Sequence, residues 1–67
     1  MKIERKTMRN RYVSVMVEGK LDSWTGPNPD KVPNSKQQAI TRSNHYRKQG
    51  KTAYPVLIEE ILEVDVV

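Results

Sequence analysis

Residues Tyr12-Val13-Ser14-Val15-Met16-Val17, followed by Glu18-Gly19, decide how this chain folds. Valine at every second position is the signature of a half-buried strand, with Val13, Val15 and Val17 on one face and Tyr12, Ser14 and Met16 on the other. Glu18-Gly19 offers a tight turn, so Lys20 to Trp24 is expected to return as a second strand of a β-hairpin. That return sets Leu21 and Ser23 on one face and Asp22 and Trp24 on the other. Upstream, Lys2 to Met8 reads either as a further strand turning near Arg9-Asn10 or as a frayed end.

Downstream of the hairpin, Thr25 to Asn34 holds three prolines in ten residues. Proline fixes φ and lacks an N–H, so this stretch stays extended and serves as a crossover or a recognition loop. Ser35-Lys36-Gln37-Gln38 has the spacing of a capping box, and the helix it opens runs to about Gln49, where Gly50 can end it. Ala39, Ile40, Ser43 and Tyr46 form its inner stripe. The segment Thr52 to Val67 fits two periods. As a strand it lines up Tyr54, Val56, Ile58, Leu62, Val64 and Val66, and as a helix it stacks Leu57, Ile58, Ile61 and Leu62. Its valine and isoleucine content and Pro55 favour the strand, bulged at Glu59-Glu60. The expectation is one α+β domain over residues 1–67. Its sheet has three or four mainly antiparallel strands, built from a β-hairpin, one helix and a C-terminal strand, with 25–34 as the connecting loop.

All twelve Lys and Arg residues precede Ala53, and Glu59, Glu60, Glu63 and Asp65 are the only charges after it. Read along the chain, this split suggests a dipolar protein with a cationic surface and an acidic apolar strip. Cysteine is absent and histidine occurs once, as His45, so disulfides, thiolate sites and histidine-rich metal centres are excluded. The acidic residues show no calcium-loop spacing. Ser43 and His45 point to different sides of the helix, and Gly19, Gly26 and Gly50 form no phosphate loop. The expectation is therefore a protein that is not an enzyme and uses no cofactor. The longest apolar run is too short to span a bilayer, and the basic start lacks a signal segment, so a cytoplasmic protein with no membrane partner is expected.

The functional candidates are surfaces. Arg9, Arg11, Arg42, His45, Arg47, Lys48 and Lys51 make a candidate basic binding surface, suited to phosphates. Met16, Trp24 and Tyr54 are the candidate protein-contact or stacking residues. The final strand offers a free edge for strand addition or self-assembly.

From Ser35 to Ile61 the order of capped helix, glycine turn and hydrophobic strand resembles the closing unit of small phage-encoded α+β accessory proteins, such as phage inhibitors of bacterial RNA polymerase. The likeness lies in pattern and carries over no functional residue, and the basic composition and proline-rich loop depart from it. It implies a protein that docks on a host protein assembly and regulates or inhibits it. A basic DNA- or RNA-binding accessory protein is the alternative, and a self-assembling homo-oligomeric module is the third reading.

Overall fold

The alternating valines do form a strand, and it begins much earlier than their pattern. In the computed structural model, which describes residues 3–66, the elements are β1 (Glu4–Val17), β2 (Lys20–Leu21), α1 (Asn34–Lys48) and β3 (Ala53–Val66). They make one antiparallel sheet in the order β2-β1-β3, with the helix on one face. The expected α+β architecture, including a strand rather than a helix at the C-terminus, is what forms. The expectations for Lys2 and Val67 lie outside the described residues.

Glu18 (φ 51°) and Gly19 (φ 79°) both sit in the left-handed region, as a two-residue hairpin turn matched to strand twist requires. The returning strand is shorter than expected. Lys20 and Leu21 pair with Val17 and Met16, and the Asp22 N–H donates to the Val15 carbonyl at 2.9 Å. The chain then bulges out and rejoins β1 at Gly26, which exchanges bonds of 3.2 and 2.8 Å with Val13. Inside the bulge the Ser14 hydroxyl donates to the Trp24 carbonyl at 2.8 Å, so buried Ser14 is satisfied. Asp22 and Trp24 turn to the helix side and Leu21 to the opposite face, as expected, but Met16 lies with Leu21, so Met16 and Trp24 do not share a contact face.

β1 and β3 pair in one unbroken register from Glu4↔Val66 to Val17↔Ala53. There is accordingly no bulge at Glu59-Glu60 and no turn at Arg9-Asn10; those two residues lie opposite Ile61 and Glu60 inside the ladder. The physical reason is cross-strand charge. Arg5 meets Asp65 at 3.1 Å and Glu63 at 3.8 Å, and Arg9 meets Glu59 at 3.3 Å. Opposite charges facing each other favour this pairing over a local turn.

The register also decides what is inside. Val13, Val15 and Val17 lie opposite Leu57, Pro55 and Ala53, and this is the face α1 covers. Among the described residues the fully buried apolar ones are Val13, Val15, Ala39 and Ala53, with Val17, Trp24 and Tyr46 packed against them. Small residues on α1 (Ser35, Ala39 and Ser43, all buried) let it lie close to the sheet. Ile40, expected on that stripe, is 39% exposed instead. The apolar row Tyr54, Val56, Ile58, Leu62, Val64 and Val66 does share a face, but it is the uncovered one.

The helix ends as its sequence suggests. Gly50 (φ 83°) donates to the Arg47 carbonyl at 2.9 Å and Lys51 to the Tyr46 carbonyl at 3.2 Å, the paired bonds of a Schellman motif. Its start does not. No side chain caps it: Pro33 holds the N-cap position, and the Ser35 hydroxyl is buried with no partner. The helix begins one residue before Ser35, which puts that side chain on the sheet-facing stripe rather than at the cap. Because a buried unpaired hydroxyl costs about 1–3 kcal/mol, Ser35→Ala is expected to leave stability unchanged or raise it by about 1 kcal/mol. Urea unfolding followed by circular dichroism checks this; a capping role would instead show a loss of about 1 kcal/mol.

Candidate nucleic-acid interface

The strand register redistributes the charge that the linear sequence separates. Glu4–Arg11 and Glu59–Val66 form a two-stranded arm whose cations and carboxylates face one another, so the arm is close to neutral. Arg9 is held by Glu59, and Arg11 is held by Asp30 in the proline-rich loop. The expected dipolar molecule is therefore replaced by an electrostatically self-paired ribbon. The net charge of +4 has to reside elsewhere.

It resides on α1. No carboxylate occurs between Asp30 and Glu59, while residues 34–51 carry Lys36, Arg42, Arg47, Lys48 and Lys51. With Ser35, Ala39 and Ser43 against the sheet, helical periodicity places Gln37, Thr41, Asn44 and Lys48 along the outermost line, at i, i+4, i+7 and i+11. All four are exposed. Gln38 and His45 flank this line on one side, whereas Lys36 and Arg47 lie about 100–120° round the other way, towards β3. The Gln49 amide nitrogen lies 3.1 Å from His45 Nε2, a contact that orients the imidazole at the helix end.

Two of the cations are partly committed to structure. Arg47 Nε donates to the Ala53 carbonyl at 2.7 Å, clamping the helix end to the start of β3. Arg42, expected in the basic binding surface, does not lie free on the outer face. Its guanidinium stacks 5.5 Å from the centroid of Trp24 and 5.6 Å from that of Tyr46, and pairs with Asp22. Tyr46 donates to Asp22 Oδ1 at 3.0 Å and the Ser23 N–H donates to the same oxygen at 2.9 Å. Arg42 Nη2 donates to the Tyr46 hydroxyl at 3.3 Å. The network ties the β2 bulge to the helix and holds Trp24 against the core. A shallow groove runs alongside it, lined by Trp24, Gln38, Arg42 and His45 among others.

The Arg42 hydrogen bond holds the Asp22 carboxyl below the usual carboxylate range, overcoming its burial, and Tyr46 adds to this; Asp22 in turn raises Arg42. A depressed folded pKa contributes stability in full above the unfolded value of about 3.9, and that stability is lost as pH falls through the folded value. Asp22→Asn is expected to cost about 1 kcal/mol at neutral pH, since Arg42 is over a third exposed. The gap to wild type narrows at acid pH, as the carboxyl protonates below the unfolded value of about 3.9. Urea midpoints at the two pH values measure it.

The candidate residues thus fall into separate places. Arg47, Lys48 and Lys51 gather at the end of α1, where Lys51 Nζ lies 5.5 Å from the Tyr46 ring centroid. Arg9 and Arg11 belong to the arm, towards the other end of the sheet. Tyr54 pairs opposite Met16 on the uncovered face, away from Trp24. The outer line, apart from Thr41 and Lys48, escaped the sequence reading. Its signal was the helical spacing of polar groups inside a 28-residue stretch free of acid. Among the described residues no cluster of three or more potential metal ligands occurs, and no helix is long and apolar enough to cross a membrane. No family model, no curated protein and no solved structure matches this chain.

Proposed function

We propose that this chain is a non-enzymatic binding protein whose α1 contacts duplex nucleic acid. One observation carries the reading: the cations left unneutralised by the fold are concentrated on a helix that bears no carboxylate and whose outer line is amide, hydroxyl and lysine. Lysine and arginine neutralise phosphates, while asparagine, glutamine and threonine are the side chains that read base edges in a groove wide enough for a helix. The 15 residues of α1 give a rod of roughly 22 Å, enough to lie along one groove segment. Titrating labelled duplex DNA with the full chain at low and near-physiological salt, followed by anisotropy, tests this. Binding whose logarithm falls linearly with log salt supports it; equal affinity at both salts refutes it.

Docking on a larger protein assembly, the other reading, is favoured by a different observation, the uncovered sheet face with Met8, Leu62 and Val64 in the open. Lysate capture that survives the loss of α1 lysines but fails with Leu62→Lys is the result expected on that reading.

A further inference from the structure

We infer that the uncovered face of the β1–β3 arm binds a second copy of this chain, independently of what α1 contacts. The arm gives the first reason. Residues 4–11 and 59–66 run on beyond the helix in a molecule 57 Å long and only 12 Å thick. A two-stranded ribbon with nothing on its faces is marginal in water, so the arm gains most from a cover. Its faces differ. One carries the Arg5 and Arg9 ion pairs, and the other presents Met8 (55% exposed), Leu62 (49%), Val64 (38%) and Val66 (42%).

Charge complementarity identifies the cover. The apolar face also holds Lys6, opposite Val64, and Glu60, opposite Asn10, with the Met8–Leu62 pair midway between these two rows. Among the described residues Lys6 forms no ion pair within the chain. A twofold axis lying across the strands at Met8–Leu62 sets two arms face to face and antiparallel. Met8 and Leu62 then meet their own counterparts. The Lys6–Val64 row of each copy meets the Asn10–Glu60 row of the other, which brings Lys6 diagonally over Glu60 of the second copy. Such a contact is self-complementary and closes at two. Edge-to-edge pairing of two β3 strands is opposed, because it would set Glu59, Glu60, Glu63 and Asp65 beside their own copies.

The overlap sets the strength. Nine paired rows at about 3.4 Å and two strands at about 4.8 Å give roughly 300 Å² of plane per copy before side-chain relief. That lies below the usual range of stable specific interfaces, so the dimer is a weak, reversible one, in the micromolar range or weaker. α1 faces outward in both copies, which leaves two cationic helices on opposite sides of the pair.

Sedimentation velocity of the full chain without nucleic acid, from about 10 µM to about 1 mM, tests the proposal. The expected result is a concentration-dependent shift from monomer to dimer. Leu62→Lys, at an exposed position, weakens it by about tenfold or more. Lys6→Glu and Glu60→Lys each weaken it several-fold, while the double variant recovers most of the loss. Circular dichroism confirms that all these variants remain folded. A monomer across the whole range, species larger than a dimer, or a double variant no better than either single one overturns the proposal.

Discussion

Replacing Gly26 by alanine is expected to lower the melting temperature by roughly 10–20 °C, the largest effect of any single methyl group in this protein. The glycine is not needed for a left-handed backbone. It is needed because a Cβ there would lie 2.6 Å from Cγ2 of Val13 and 3.0–3.2 Å from the Trp24 ring. Val13 is 3% exposed and cannot swing away, and Trp24 is held in place by the stacked Arg42. Relief therefore requires the Gly26 backbone to leave β1, which breaks its two bonds to Val13 and loosens the Ser14–Trp24 contact. Overpacking of this kind costs about 1–3 kcal/mol. A 67-residue domain has in total only about 3–10 kcal/mol. Thermal unfolding by circular dichroism measures the loss, and Trp24 fluorescence reports whether the ring is displaced first. Unchanged stability would mean that Val13 and Trp24 do not enclose Gly26 in solution.

Replacing Lys36, Lys48 and Lys51 together by glutamine is expected to weaken duplex binding on the order of 100-fold at near-physiological salt. Each lysine that neutralises a phosphate contributes about 0.9 to the slope of log affinity against log salt, so the slope should flatten by about 2.7. These three are chosen because they are exposed and their side chains hold no hydrogen bond among the described residues, unlike Arg42 and Arg47. Folding should be unaffected. The control is Lys6→Gln with Arg9→Gln and Lys20→Gln, which removes the same three charges from β1 and β2 and should change the slope little. Equal losses from both sets would show that overall charge, not the helix, determines binding.

The parts of this structure that could be read in the sequence are those fixed locally. The valine alternation of β1, the Glu18-Gly19 turn and the Gly50 helix end each depend on a few neighbouring residues. The C-terminal strand followed from its β-branched content. What escaped depends on partners far along the chain. Arg9-Asn10 looks like a turn until Ile61 and Glu60 stand opposite, and the segregation of charge looks like a dipole until Arg5 and Arg9 find Asp65 and Glu59. Ser35 has the residue type and spacing of a cap, but Pro33 takes the N-cap position, the helix begins at Asn34, and the Ser35 hydroxyl turns inward. The apolar row of β3 could be listed from its period; that it would be the open face depends on which side the helix covers. The site shows the same division. The cations of α1 were visible, whereas the commitment of Arg42 to Asp22 and Trp24 required the bulge between β2 and Gly26.

We propose that the outer face of α1 is the surface that contacts duplex nucleic acid. Mapping backbone amide chemical shifts of the full chain, with and without a short DNA duplex, tests it directly. The largest changes should fall on Gln37, Thr41, Asn44, Lys48 and the turn through Lys51, with the arm residues Met8 and Leu62 unmoved. Changes concentrated on the arm, or none at a duplex concentration in the millimolar range, would contradict it.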